Sequence, residues 1–308
     1  MTKHIIIGFT YASIFGLTFM FTKIGLSYIE PVGLMAFRFL MATLVLSLLA
    51  FFKVITIHIP RHVFKTVLLM VLFQPVIGFA FEMYGVKFSQ SSEAGMIIAL
   101  IPVFVAILSF MFSSEKPTIK QVLFILISVT GVIFIQLMNV RGVDGFSPLG
   151  AILMLVSALA AASFNVVSRH VSKLVTPGTL TFMMMFTGFI FFMSWYIISL
   201  IITGEGLHPM IKSLSSLTLL GSILYLGVIA SVIGFFLVNY NLKHIPAHMS
   251  SIFANVATMT SIIAGLIFLN ETLYWYHFVG SVFIMIGVYG VVASRKKKSI
   301  AQTVEIPV

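Results

Sequence analysis

The chain contains no cysteine, which excludes disulfides, a thiolate metal site and cysteine nucleophile chemistry. Acid is almost as scarce. Aspartate and glutamate together number 8 among 308 residues, and all charged residues make up 8%, whereas soluble domains carry about 25%. No phosphate loop, dinucleotide glycine fingerprint or nucleophile elbow is present, so the chain by itself is not expected to hydrolyse ATP or to hold a cofactor. The eight histidines lie in loops and at helix ends without metal-ligand spacing, and no metal site is expected. Apolar residues fill the space instead, 60% of the chain with a mean hydropathy of +1.14. Such a composition needs lipid as the destination for its apolar surface, which makes this an integral membrane protein.

The 18 lysines and arginines give a net charge of +10, yet they are scattered in short loops rather than gathered on one polar face, so no nucleic-acid partner is expected. The charged lead Met1 to His4 resembles the start of a signal peptide. The apolar stretch behind it runs to about residue 27 with no small-residue cleavage site, and it is taken as a first spanning helix. A ruler of about 20 apolar residues per span places ten helices, at about 5–27, 33–52, 66–87, 91–113, 119–139, 148–169, 178–203, 216–240, 247–269 and 273–294. Runs this long are unlike the short alternating strands of a membrane barrel. With these spans, thirteen basic residues fall on one side and four on the other. The biased side is cytoplasmic, so a multi-pass protein of the cell membrane with both termini inside is expected.

The sequence repeats itself. A shift of 156 positions lays Val76-Ile77-Gly78-Phe79 on Val232-Ile233-Gly234-Phe235 and pairs Tyr84 with Tyr240, Lys87 with Lys243, Glu115 with Glu271 and Gly131 with Gly287. A shift of 146 does the same for earlier helices, pairing Gly16 with Ala162, Lys23 with Arg169 and Pro31 with Pro177. The expected units are residues 1–140 and 147–295, followed by a short cytoplasmic tail, 296–308. Five helices per unit is an odd number, so the second unit enters the membrane from the opposite side. Inverted repeats of this kind characterise secondary transporters, whose halves rock around a central site.

Gly16-Leu17-Thr18, Lys23, Pro31 and Arg38 resemble the opening of an EamA repeat, and Pro102, Glu115 and Gly131 resemble its close. The second copy keeps Pro177, Glu271 and Gly287 but has Met184 where Arg38 would recur and Thr258 where Pro102 would. Phe15 stands where the family usually has tryptophan. The resemblance, which spans nearly the whole chain, is to the EamA branch of the drug/metabolite transporter superfamily. It implies an all-α fold of ten transmembrane helices in which helices one to four and six to nine surround a cavity, with five and ten peripheral.

Few polar groups lie within the spans. Arg38 is expected either to snorkel or form an ion pair, or to face a substrate carboxylate, with Glu82 its natural partner. Glu82 and Glu93 are the candidates for a proton-coupling group, against ion pairing or interface exposure. Thr18, Gln74, Asn165 and Asn255 either hydrogen-bond between helices or line the cavity. Pro102 either bends its helix or frees a carbonyl toward a substrate. Glu115 and Glu271 are expected to anchor helix ends. The substrate-binding candidates are therefore Thr18, Arg38, Gln74, Glu82, Pro102, Asn165 and Asn255. The function expected is secondary transport, exporting small organic metabolites such as amino acids or related compounds. The alternatives are multidrug efflux and, from another class, a membrane-embedded lipid-modifying enzyme. The latter would need converging His, Asp, Glu or Ser at one depth, and no such cluster is visible. Expected partners are a small-molecule substrate, the lipid bilayer and a second copy of the chain in a homodimer.

Overall fold

A computed structural model describes residues 2–112, 118–142, 147–204 and 216–293. Every regular element among them is a helix: α1 (Thr2–Gly25), α2 (Pro31–Phe51), α3 (Phe64–Val71), α4 (Gly78–Phe88), α5 (Ser91–Ile98), α6 (Ile101–Phe112), α7 (Ile119–Gly142), α8 (Pro148–Val171), α9 (Pro177–Thr203), α10 (Leu217–Leu224), α11 (Phe235–His244), α12 (Ala247–Ser251), α13 (Ala254–Phe268) and α14 (Trp275–Ala293), with a short 3₁₀ turn at Arg61–Val63 and two π-helical stretches described below. Prolines open α2, α8 and α9 at their first position, where a missing N–H costs nothing. Ser147 and Thr176 cap the latter two by accepting from Gly150 N and Thr179 N. At the far end of α9, Gly204 adopts φ +69°, the left-handed turn that stops a helix.

Among the described residues, eight helical stretches are long and apolar enough to cross a membrane. The two remaining expected spans are present as shorter apolar helices, Ile119–Ile135 and Trp275–Gly290. Large apolar side chains face outward, Phe51 being 79% exposed and Ile202 78%, while Arg38 is 1% exposed. This is the inverse of a soluble protein and suits a lipid surround.

Four spans that the sequence shows as continuous are interrupted. The stretch 66–87 is divided into α3, a π-helical stretch Leu72–Ile77 and α4, with Gln74 at φ −144°, ψ 121° before a cis peptide to Pro75. Proline's missing N–H and its ring account for the break. The corresponding stretch of the second half, Tyr225–Gly234, is also π-helical, between α10 and α11. The stretch 91–113 breaks at Ala99–Leu100, between α5 and α6. Pro102 therefore stands in the first turn of α6 instead of at a midpoint kink. The stretch 247–269 breaks at Ile252–Phe253, between α12 and α13.

Packing follows the repeat. Helix α2 lies on α9, and α7 lies on α14. Helix α1 packs on α13, and α8 packs on α5 and α6, a pair that exchanges under the repeat shift. Lys23 at the end of α1 donates to the carbonyls of Val86 (3.1 Å) and Ser89 (2.5 Å), and Arg169 at the end of α8 donates to Leu242 (2.6 Å). Lys23 and Arg169 are repeat partners, as are Val86 and Leu242. Each cation meets the terminal carbonyls of a helix, where the backbone dipole favours positive charge. A Cβ on Gly16 would lie 2.5 Å from Ala257 O and equally close to Thr260, so glycine is what lets α1 approach α13. On the α7–α14 face, Ser128 donates to Ile284 O at 3.0 Å, and a Cβ on Gly287 would meet Ser128 and the Phe124 carbonyl.

A polar lock at Glu271 is among the contacts that join the halves. The Glu271 carboxylate accepts from Ser91 N (2.6 Å), Ser92 N (2.9 Å) and Ser92 Oγ (2.6 Å), which satisfies orphan amides of the first turn of α5. Beside it, Ser261 donates to Ser91 O (2.7 Å) and Thr258 to Gly95 O (2.7 Å). Glu271 thus anchors a helix end, though of a helix in the other half. Its repeat partner Glu115 lies outside the described residues. Glu271→Ala leaves two amides without their acceptor and is expected to destabilise by about 1–3 kcal/mol, read as a fall in melting temperature of the detergent-solubilised protein. An unchanged melting temperature would show the lock to be dispensable.

Candidate functional site

A cavity with about 760 Å³ of empty space lies among α1, α4, α5, α6, α8, α11, α12 and α13, with Gln74 of the first π-helical stretch at its wall. All four interrupted spans reach it, through Gln74, Ile98 and Ile101, Phe235, and Ser250 and Ala254. Its walls are mostly apolar and carry seven aromatic rings. Phe15 meets Phe235 edge-on with ring centroids 5.0 Å apart, and Phe79 and Phe164 do so at 5.8 and 6.1 Å. The lining has an internal order. Phe15 and Ala161, Thr18 and Phe164, Phe19 and Asn165, Phe79 and Phe235, Glu82 and Val238, Ile98 and Ala254, and Ile101 and Ala257 all line the cavity, and each pair is related by the repeat shifts.

Of the sequence candidates, Thr18, Gln74, Glu82 and Asn165 come together in this wall, whereas Arg38, Pro102 and Asn255 are not part of it. Thr18 Oγ1 donates to Phe15 O (2.6 Å) and Asn165 Nδ2 to Ala161 O (3.0 Å), both within their own helices. Gln74 is 7% and Glu82 8% exposed, and among the described residues no hydrogen bond or ion pair holds either side chain. Gly78 leaves room for Gln74, since a Cβ there would lie 2.9 Å from Gln74 Cγ. Pro102 has no N–H for the carbonyl of Ile98, four residues earlier, and Ile98 lines the cavity. Asn255 faces a second, much smaller cavity with Met96, Thr258 and Ser281, where its Oδ1 is buried without a partner. Glu93 belongs to the capping box of α5, bonded from Gln90 N (3.2 Å), with His277 Nε2 at 4.0 Å.

Arg38 does not snorkel. Its Nε donates to Ser231 Oγ (2.9 Å), which in turn donates to Leu226 O (2.7 Å) in the second π-helical stretch. Its guanidinium lies 4.3 Å from the centroid of Phe79, and Nη1 is buried without a partner. The charge of Glu82 acts on Arg38 and the reverse, but no contact within 4 Å joins them. The expected ion pair is thus not made by contact, and the ring of Phe79, one turn from Glu82, lies over the guanidinium instead. Ser231 occupies the position that repeats Pro75.

Sequence reading missed Tyr11, whose hydroxyl hydrogen-bonds to Ser250 O (3.0 Å) and Ser250 Oγ (2.9 Å) at the α12 end of the cavity. It also missed Ser231 as a partner of Arg38. The identity of Phe79 and Phe235 was visible as repeat evidence, and their shared place in a cavity wall was not. Arg38→Met removes the bond to Ser231 and the charge facing Glu82 and is expected to destabilise by about 1–3 kcal/mol. The double change Arg38→Met with Glu82→Gln should melt higher than Arg38→Met alone, as a double-mutant cycle of thermal stability would show. Strictly additive losses would mean that the two charges are not coupled.

The chain matches the model of the EamA-like transporter family twice, over residues 2–137 and 148–293. An uncharacterized transporter, YcxC, of Bacillus subtilis (strain 168) is 35% identical over 306 residues, covering 97% of each chain. A probable amino-acid metabolite efflux pump of Escherichia coli (strain K12) is 23% identical over 90% of each chain. A protein of known crystal structure shares the fold, with a TM-score of 0.66 at 17% identity over 94% of this chain and 98% of its own. With a family match over nearly its whole length and a set of apolar helices able to span lipid, this chain is a multi-pass membrane protein that belongs to the EamA-like transporter family.

Proposed function

We propose that this protein is a secondary transporter of ten membrane-spanning helices in two inverted five-helix repeats, residues 1–140 and 147–295. It exports small organic metabolites, amino acids or related compounds, across the cytoplasmic membrane by alternating access. The observation that carries the reading is the lining of the cavity by seven repeat-related residue pairs. A site on the axis relating two equivalent halves presents the same walls to either side as the halves exchange conformations. The matched cation caps of Lys23 and Arg169, the two π-helical stretches at corresponding positions and the two separate family matches support the repeat. The basic residues on one side support termini in the cytoplasm. The choice of metabolite class draws on the name of the Escherichia coli relative.

Transport in this scheme requires the α5–α13 contacts to part, since Glu271, Ser261 and Thr258 hold them together. The site offers one buried carboxylate, amides and hydroxyls in an aromatic wall, and no nucleophile–base pair is arranged within it. That composition suits recognition and not bond making.

The test is solute movement by purified protein in proteoliposomes, with labelled amino acids, nucleosides and cationic dyes on offer. Saturable flux of one class is expected, and Phe235→Trp, which fills the cavity at the centre of its aromatic wall, should lower it by about tenfold or more while the protein stays monodisperse. Flux that is non-saturable, or equal to that of empty liposomes for every solute, would remove the transport reading.

A further inference from the structure

The two walls of the cavity are related by sequence, but their charge is not. Glu82 is the charged residue among those that line it, and the repeat-related position on the opposite wall is Val238. The carboxylate of Glu82 is buried, borders the empty space and has no hydrogen bond or ion pair among the described residues. A carboxylate left in such a place is costly unless something pairs with it. Arg38, the cation that acts on it, is outside the cavity wall, tied to Ser231 and overlaid by Phe79. The face of Glu82 toward the cavity is thus left for a ligand. Around it stand the rings of Phe15, Phe79, Phe164 and Phe235, whose faces attract cations and whose bodies receive apolar groups. Gln74, also without a partner, adds an amide oxygen able to accept from a donor.

From these features we infer that the cavity takes organic amines in their ammonium form, carrying an aromatic or branched apolar body and no free carboxylate, with Glu82 as counter-charge. The inference rests on the reading of this cavity as the transport site and narrows it, within compounds related to amino acids, to those whose carboxylate is absent or masked. A free carboxylate would enter a chamber whose own lining holds a negative charge and no cation, Arg38 being outside it against the ring of Phe79. Like charges brought together in a low-dielectric space repel strongly.

The experiment is binding of tritiated phenethylamine to the full chain in detergent, with phenylalanine amide, phenylalanine, 3-phenylpropionate and 2-phenylethanol as competitors. Phenylalanine amide should compete as well as unlabelled phenethylamine, and the other three should be weaker by about tenfold or more, as expected when a charge-assisted contact is lost or a repulsive one gained. Glu82→Gln should reduce amine binding by a similar factor. Val238→Lys, which sets a competing cation on the opposite wall with Glu82 intact, should reduce it as well and does not depend on the Gln variant folding. Amine affinity unchanged in either folded variant, or phenylalanine or 3-phenylpropionate competing as well as the amide, overturns the inference. Absence of amine binding together with saturable flux of another solute in proteoliposomes also overturns it and leaves the transport reading standing.

Discussion

Backbone amides and carbonyls without a helical partner are tolerated at membrane depth only where protein or a water-lined cavity meets them, never lipid. This constraint organises the molecule. The four spans that depart from regular α-helix all reach the same cavity. The carbonyl of Ser250, just before the break in 247–268, accepts from Tyr11, and the carbonyl of Leu226, within the second π-helical stretch, accepts from Ser231, which itself receives Arg38. The regular helices α2, α7, α9 and α14 stand away from the cavity wall, where unbroken hydrogen bonding lets them meet lipid.

The halves are alike where the scaffold needs them to be and unlike where chemistry is concentrated. The helix-end cations and the paired phenylalanines 79 and 235 recur. The two places where the second copy departs from the family pattern, Met184 and Thr258, are both used. Met184 leaves a single arginine, Arg38, which crosses to the second half to reach Ser231. Thr258, free of proline's ring, donates across to Gly95 and joins Glu271 and Ser261 in the lock between α5 and α13. A wholly symmetric chain would have neither the lone carboxylate in its cavity nor this set of contacts.

The all-helical membrane character and the family were legible in the sequence because their signals are long and physical: apolar runs, and motifs that recur at two fixed shifts. The site was less legible. Thr18, Gln74, Glu82 and Asn165 could be picked out as polar groups at membrane depth, and these four share a wall. Arg38, Pro102 and Asn255 carried the same signal and lie outside it, because depth along the chain does not say which way a side chain faces in a bundle. Tyr11 went unnoticed since a tyrosine within an apolar run gives no sign of a partner 239 residues away.

The sequence by itself determined that the chain lives in lipid, that it repeats and that its family is one of transporters, since composition, period and motif survive without coordinates. Only the tertiary structure decided that the spans 66–87 and 91–113 are broken, that Arg38 and Glu82 act on each other without touching, and that Glu271 caps a helix in the other half. The reason is that each of these depends on the angle and distance between helices far apart in the chain. A hydropathy profile carries no information about either.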